Sequence, residues 1–440
     1  MGSEWKKVQL DEIATISSGK RPAKVSKQPT EECTVPVIGG GGVSGYTDRA
    51  LFEEGVLITG RVGTLGKLFA PSYPCWPSDN TLVIHISGAN VDGTYLRYAV
   101  ELSIPQVASM NRGAANPLIT QGDIGRLNIP LPPLPEQRAI AHILGTLDDK
   151  IELNRQINRT LEAMAQALFK SWFIDFDPVV VNALRAGNPI PNKFTQRACL
   201  CRSFGRQAAH YRDNPDALRL PEDLLRQFPD RFQDSELGPI PEGWDVQSLD
   251  DIATFLNGLA CQKYPAAPGV PSLPVIKIRE LRQGISGNTD RATTNVPEKY
   301  IVHDGDVLFS WSGSLLIDIW TQGKGVLNQH VFKVSSENYP KWFYFHWVDF
   351  HLLEFQRIAA DKATTMGHIK RHHLADAKVV VPDSDIMKLA SVHVSPIFDN
   401  KIENAIQARS LAKLRDTLLP KLISGELRVP DAEKILEDVE

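Results

Sequence analysis

The 440-residue chain contains no uninterrupted apolar run of about 18 residues, the length a helix needs to cross a bilayer, so no membrane span is expected. Its opening, Met1-Gly2-Ser3-Glu4, has neither the basic nor the apolar stretch of a secretion signal, and the expected location is the cytoplasm. Cysteine is scarce. The five (Cys33, Cys75, Cys199, Cys201 and Cys261) are odd in number and scattered. Only Cys199 and Cys201 are close, with no further Cys or His at zinc spacing, which argues against a disulfide framework or structural zinc. An excess of positive charge is also missing. The net charge is −4; residues 1–132 hold 12 Lys+Arg against 12 Asp+Glu, and residues 240–382 hold 14 against 15. Any basic surface must come from clustering in the fold, and bulk composition does not announce a nucleic-acid partner.

Catalytic signatures are missing too. Thr59-Gly-Arg-Val-Gly-Thr-Leu-Gly-Lys67 resembles a phosphate loop, but the first Gly of Gly-x4-Gly-Lys would fall on Arg61, and Leu68 stands where Ser or Thr is required. No Asn- or Asp-Pro-Pro-aromatic methyltransferase motif occurs. Phe309-Ser-Trp-Ser-Gly-Ser314 fails Gly-x-Ser-x-Gly, and no Ser/His/Asp arrangement is visible by spacing. His368 and His372 have helical i,i+4 spacing without an accompanying acid. The expectation is a chain with no catalytic residues, no metal and no cofactor of its own.

What is present is a duplication. Trp5-Lys-Lys-Val-Gln-Leu-Asp-Glu-Ile-Ala-Thr15 recurs as Trp244-Asp-Val-Gln-Ser-Leu-Asp-Asp-Ile-Ala-Thr254, and later Asn80 matches Asn328, Ile119 matches Ile369, and Lys150-Ile-Glu152 matches Lys401-Ile-Glu403. Two diverged copies with small insertions produce such a slowly rising offset. A period this long implies whole modules, because solenoid units run about 20–50 residues. Each copy has a Trp-led opening, a strand-rich middle, a short helix and a long helix. Strand-length apolar runs are Val35–Ile38, Gly55–Ile58 and Thr81–Ile86 in copy one. Copy two has Leu273–Ile278, Asp306–Phe309 and His330–Val334. The expected fold class is α+β: two related globular domains over 1–134 and 242–382, with long helices over 135–176 and 383–428. A proline-rich connector with short helical turns fills 177–241, where eight prolines disfavour a sheet or a long helix, and an acidic tail covers 429–440.

The first long helix follows Leu131-Pro-Pro-Leu-Pro135, with Pro135 suited to a first turn. Its heptad-spaced seam is Leu144, Leu147, Ile151, Asn154, Asn158, Leu161, Ala165, Leu168 and Trp172, an apolar stripe with two polar layers of the kind that fixes register. The second is less regular: Phe398, Ile402 and Ile406, then Leu411, Leu414, Leu418 and Leu422. Its five-residue gap and internal Pro396 predict a stutter or a delayed helix start. Either stripe alone would pack on its own module; two at matching positions point to pairing with each other.

Four stretches give the chain a family likeness. They are Ile129-Pro-Leu-Pro-Pro-Leu-Pro-Glu-Gln137, Leu168-Phe-Lys-Ser-Trp-Phe-Ile-Asp-Phe-Asp177, Phe232-Gln-Asp-Ser-Glu-Leu-Gly-Pro-Ile-Pro-Glu-Gly-Trp244 and Leu418-Leu-Pro-Lys-Leu-Ile-Ser-Gly-Glu-Leu427. With their order, the sequence resembles the specificity subunits of type I restriction–modification systems over nearly its full length. It departs at Val381-Pro-Asp-Ser-Asp385, which lacks the Pro-Leu-Pro-Pro-Leu-x-Glu-Gln signature, and over Arg197–Pro221. The resemblance implies two target-recognition domains, each reading half of a split site in double-stranded DNA. It also implies long helices that pair as an antiparallel coiled-coil spacer and dock two methyltransferase subunits, with restriction subunits in the full complex and all catalysis in those partners. The competing reading is a coiled-coil protein-interaction scaffold that binds no DNA.

Candidate DNA-contacting residues follow. Arg61 and Lys67 sit in the glycine-rich loop, where a plain turn is the alternative. Lys362, Thr364, Thr365, His368, Lys370 and Arg371 crowd one short segment suited to phosphate and base contacts. Its counterpart supplies Arg112 and Asn116. Lys20 and Arg21 in copy one, and Lys277 and Arg279 in copy two, complete the set. Trp342-Phe-Tyr-Phe-His-Trp347 is expected to be core rather than a stacking platform.

Overall fold

The computed structural model describes residues 5–62, 65–110, 118–199, 222–361 and 367–437. The chain forms two compact units, one of Met1–Ile151 with Ser410–Glu440 and one of Glu152–Arg409. Each unit therefore takes one module and a portion of both long helices.

In the first unit, β1 (Lys7–Gln9) leads through α1 (Leu10–Ile13) into β2 (Ala14–Ser18). There follow β3 (Val35–Gly39), β4 (Gly42–Thr47), β5 (Val56–Gly60), β6 (Leu68–Phe69), β7 (Trp76–Pro77) and β8 (Thr81–Ile86). Strands β2-β8-β5-β6 make one antiparallel sheet and β4-β3-β7 a second, while β1 pairs with β9 (Asn128–Pro130). The apolar runs of β5 and β8 are buried on both faces, with Ile38, Val56, Ile58, Cys75 and Val83 as a small core. The four glycines from Gly39 to Gly42 make the β3–β4 hairpin turn, with Gly42 at φ 125°, a conformation open to glycine and hostile to other residues.

Helix α2 (Gly93–Met110), α3 (Gln121–Gly125) and the start of α4 (Leu134–Phe169) complete the module. The Glu-Gln motif has a structural task. Gln137 is 1% exposed; its Nε2 donates to the carbonyls of Asn90 (3.1 Å) and Pro132 (2.8 Å), and its Oε1 accepts from the Asp92 amide (2.9 Å). A buried amide so satisfied pins the loop before α2 to the helix start.

In the second unit α4 continues into a π-helical turn over Lys170–Ile174. The connector contributes α5 (Asp177–Ala186), α6 (Glu222–Leu225) and the short pair β10 (Phe232–Gln233) with β11 (Ile240–Pro241). It is not a detached linker. Val179, Val180, Phe194, Leu224 and Phe228 join the main core of this unit. The second module repeats the first. It runs through β12 (Asp245–Ser248), α7 (Leu249–Ile252), β13 (Thr254–Asn257), β14 (Ser272–Ile276), α8 (Ile278–Gln283), β15 (Arg291–Thr293) and β16 (Ile301–Val302). Then come β17 (Val307–Ser310), β18 (Leu316–Ile319), β19 (Gly325–Leu327), β20 (Val331–Ser335), α9 (Lys341–Asp361), α10 (Arg371–Asp376) and β21 (Lys378–Val381). Its main sheet is β13-β20-β17-β18, matching β2-β8-β5-β6, and β12 pairs with β21 as β1 does with β9. The aromatic run Trp342–Trp347 is buried on α9, packed against Phe173 and Phe169.

Helix α11 (Ser384–Ser424) runs uninterrupted through Pro396, so the expected delayed start is corrected: the helix begins twelve residues before the proline. The proline withdraws one donor from the Val392 carbonyl, and Val392 is 69% exposed, so that turn faces water and the loss is tolerable. Where the second Pro-Leu-Pro-Pro signature is missing, Asp383 caps this helix instead, its Oδ1 accepting from the amides of Asp385 (2.9 Å) and Ile386 (3.0 Å). The final residues are not a bare acidic tail: Val429–Glu437 is a helix, α12, with Val429 and Ala432 buried.

The long helices run antiparallel within each unit. In the second, Asn154 Nδ2 donates to Gln407 Oε1 (2.8 Å), Asn158 bonds both Asn404 (3.1 Å) and the Lys401 carbonyl (2.9 Å), and Lys401 pairs with Glu162 (3.1 Å). Leu161, Leu168 and Ile402 are half-buried along the same faces. In the first, Leu144, Leu147, Ile151, Leu411 and Leu418 are buried and Leu414 is half-buried, and Asp148 meets Arg415 at 2.6 Å. Two of the family-like stretches end these helices and hold an opening tryptophan. Phe173 and Phe176, at the end of α4, pack against Trp244. At the end of α11, Gly425 touches Trp5, whose ring lies 4.3 Å from the Arg428 guanidinium.

Candidate nucleic-acid interface

The main sheet of each module ends in an edge of polar side chains, built the same way twice. Gly19 and Gly258 leave β2 and β13 and donate to the carbonyls of Thr81 (3.0 Å) and Val331 (3.2 Å). A Cβ on Gly19 would sit 2.1 Å from the Ser78 carbonyl oxygen, and one on Gly258 2.3 Å from that of Asn328, so only glycine lets these backbones touch. The next amides, Lys20 and Leu259, donate to Pro77 (3.0 Å) and Leu327 (2.9 Å). This registration places Ser78 opposite Asn328 and Asn80 opposite His330, two residues away from the match of Asn80 to Asn328 read from sequence.

Arg61 follows β5 at this edge. Its carbonyl accepts from the Ile119 amide (2.9 Å), its amide donates to the Asn80 carbonyl (3.0 Å), and its Nη1 donates to Ser18 Oγ (3.3 Å) at the end of β2. Gln121 Nε2 donates to the same hydroxyl (3.1 Å). Gln121 is presented by α3, which Thr120 and Asp123 cap reciprocally at 2.9 and 3.2 Å. Hydrogen bonds from the Thr120 hydroxyl and amide hold the Asp123 carboxyl below the usual carboxylate range.

In the second module Trp311 follows β17. Its carbonyl accepts from the Ile369 amide (3.0 Å) and its Nε1 donates to Asn257 Oδ1 (3.0 Å) at the end of β13. Ser312 Oγ lies 3.0 Å from His330 Nδ1, and Gln329 Nε2 lies 3.2 Å from His330 Nε2. The ring of His368 stands edge-on to Trp311 at 6.2 Å. Lys370 and Arg371 are exposed beside this edge, at the cap and first turn of α10, with His373 Nδ1 accepting from the Lys370 amide (3.0 Å). His368 lies in extended backbone before that helix, so helical spacing does not relate it to His372.

The other sequence candidates fall elsewhere. Lys20 and Arg21 are at or near the surface just after the first edge, the Lys20 carbonyl accepting from Trp76 Nε1 (2.6 Å), and Lys67 is exposed before β6. Lys277, the N-cap of α8, pairs with Asp290, and Arg279 pairs with Glu280 (2.7 Å) on that helix. Arg112, Asn116, Lys362, Thr364 and Thr365 lie outside the described residues. Sequence reasoning missed Trp311, His330, Gln329, Asn257 and Ser18. Burial pushes the Cys75 and Cys261 thiols up, which suits packing rather than reactivity. No group of His, Cys, Asp and Glu among the described residues is arranged to hold a metal, and no described helix is long and apolar enough to cross a membrane.

The chain thus combines a duplicated α+β module, each copy with a polar sheet edge, and paired antiparallel helices. Residues 2–163 and 241–409 match the model of the type I restriction modification DNA specificity domain, and the chain belongs to that family. It is 26% identical to the HindI specificity subunit of Haemophilus influenzae over 333 residues, 72% of each chain. It is 22% identical to the MjaIX specificity subunit of Methanocaldococcus jannaschii over 428 residues, covering 96% of this chain and 85% of that one. Among solved structures, the S subunit from the M. genitalium type I restriction–modification system superposes with a TM-score of 0.57 at 14% identity, covering 95% of this chain and 96% of that one. The family is one of DNA specificity, and the reading as a scaffold without DNA is set aside.

Proposed function

We propose that this chain is the DNA-reading subunit of a type I restriction–modification complex, in which each module recognises one half of a bipartite site in double-stranded DNA. The observation that carries this reading is the repeated edge: one backbone frame, built twice, with different polar and aromatic side chains at equivalent places. A frame held constant while its readers vary is what two half-sites of different sequence require. Catalysis belongs to partner subunits, two for methylation together with restriction subunits, and the chain needs no cofactor of its own. The outer face of α4 supports protein partners. Leu153, Ile157 and Met164 recur there at helical spacing and are exposed.

The test is an exchange. Residues 242–382 replaced by those of a relative should alter one half of the methylated sequence and leave the other half intact. Methylation mapping that finds both halves changed would show that the modules are not independent readers.

A further inference from the structure

Arg61 and Trp311 occupy one position of the duplicated frame. Gly60 pairs with Thr81 and Ser310 with Val331, so each residue is the first beyond its strand. Each gives its carbonyl to the matching isoleucine amide, of Ile119 or Ile369. Each leans its side chain on the last residue of the matching strand, Ser18 or Asn257, which pair with Leu82 and Phe332. Both are half-buried, held at the base and open at the edge. The backbone is the same and the chemistry is opposed. Arginine brings a fork of charged donors, whereas tryptophan has one donor, already given to Asn257.

The surroundings differ in the same sense. Asn80 and Gln121 flank Arg61. Around Trp311 a chain runs from Ser312 through His330 to Gln329. An amide nitrogen only donates, so His330 Nε2 accepts from Gln329 and the ring proton sits on Nδ1, toward Ser312. That leaves the Gln329 amide one N–H and its carbonyl oxygen, the donor–acceptor pair that matches adenine N7 and N6. The half-buried indole, packed against His330 at 5.9 Å and Phe332 at 5.8 Å, is an apolar surface of the kind that meets a thymine methyl. Arg61, by contrast, carries the fork that matches guanine O6 and N7.

Resting on the reading as a DNA-specificity subunit, we infer that Arg61 and Trp311 are the equivalent specificity-determining positions of the two modules. Arg61 addresses a guanine in one half-site; Trp311, with Gln329, addresses an A·T pair in the other.

The test uses the full chain assembled with its modification subunits, with methylated host DNA sequenced to give the recognised motif. Arg61→Met should relax discrimination roughly ten- to hundredfold at one guanine of one half-site, the worth of a bidentate contact. Trp311→Ala and Gln329→Ala should relax an A·T position in the other half-site only. An unchanged motif, a change in the wrong half, or relaxation at a base other than those assigned overturns the assignment. Should a variant methylate nothing, its complex is titrated against the native site and against unrelated duplex. Loss confined to the native site supports the assignment, and equal loss on both overturns it. A wild-type complex that yields no discrete motif would instead defeat the DNA-specificity reading itself.

Discussion

Asp148 offers a quantitative check on how the long helices are fastened in the first unit. Its carboxylate is 18% exposed and accepts from Arg415 Nη1 (2.6 Å), Arg97 Nη2 (3.0 Å) and Tyr98 Oη (2.7 Å). Burial works against its charged form, but the hydrogen bonds from Arg415 and Tyr98, and the charges of Arg415 and Arg97, outweigh it and hold the carboxyl below the usual carboxylate range. Burial, the hydrogen bond to Asp148 and that residue's charge push the Tyr98 phenol up. Hydrogen bonds to charged groups contribute about 1.5–3 kcal/mol each, so three would total well above 4 if additive. They are not additive here, because Arg415 keeps Asp416 (2.7 Å) and both arginines reach water. For Asp148→Ala we expect a loss of about 2–4 kcal/mol, which for a unit of this size lowers the melting midpoint by roughly 4–16 °C. The sign of the pH dependence follows from the lowered carboxyl. Its contribution is fully present above the unfolded value of about 3.9 and vanishes as pH falls through the folded value. Urea denaturation of wild type and variant, with hydrogen exchange on α4 to assign the transition, should show the full difference at pH 7 and a difference that shrinks progressively as pH falls below about 4. A difference under about 0.5 kcal/mol, or one unaltered between pH 7 and pH 3, would refute the argument.

Two further outcomes follow from the geometry. Gly425 has φ 77° and its Cβ would meet Trp5 Nε1 at 2.5 Å, whereas Gly187 has φ 74° with nothing within 4 Å. Gly187→Ala should cost only left-handed strain, about 1–2 kcal/mol, and Gly425→Ala clearly more, with faster exchange at residues 5–9; equal losses in denaturation would mean Trp5 is free to yield. Lys370→Ala and Arg371→Ala, both at exposed positions, should each flatten the salt dependence of DNA binding by about one unit, and an unchanged slope would place them off the phosphate backbone.

The strands were legible in the sequence wherever a short apolar run lay between turn formers. Val35–Ile38 and Thr81–Ile86 are such runs, and the structure makes strands of both. The polar edge was only half legible. Arg61 stood out in a glycine-rich loop, but its partner Ser18, and Gln121 on the same hydroxyl, lie 43 and 60 residues away in the chain, and nothing local announces them. Trp311 sits in a serine-rich turn just after an apolar strand, and nothing local marks it until Asn257 is seen to hold its N–H. His330 was hidden by a two-residue slip, since aligning Asn80 with Asn328 satisfies identity while the backbone aligns Ser78 there. Pro396 misled for a different reason: the missing donor matters only where the freed carbonyl is dry.

The tie between Gly425, Arg428 and Trp5 sets an order on the ribosome. The second unit is contiguous, Glu152–Arg409, and all its parts exist once Arg409 has been made. The first unit needs Ser410–Glu440 as well as Met1–Ile151. At about 5–20 residues per second, the earliest-made module waits roughly fifteen seconds to a minute for the segment that seats its opening tryptophan. During that interval its sheets must hold without the helix that will close them, while the later module finishes first. Premature termination between Arg409 and Arg428 would therefore damage the domain that was synthesised first and spare the one completed just before the break.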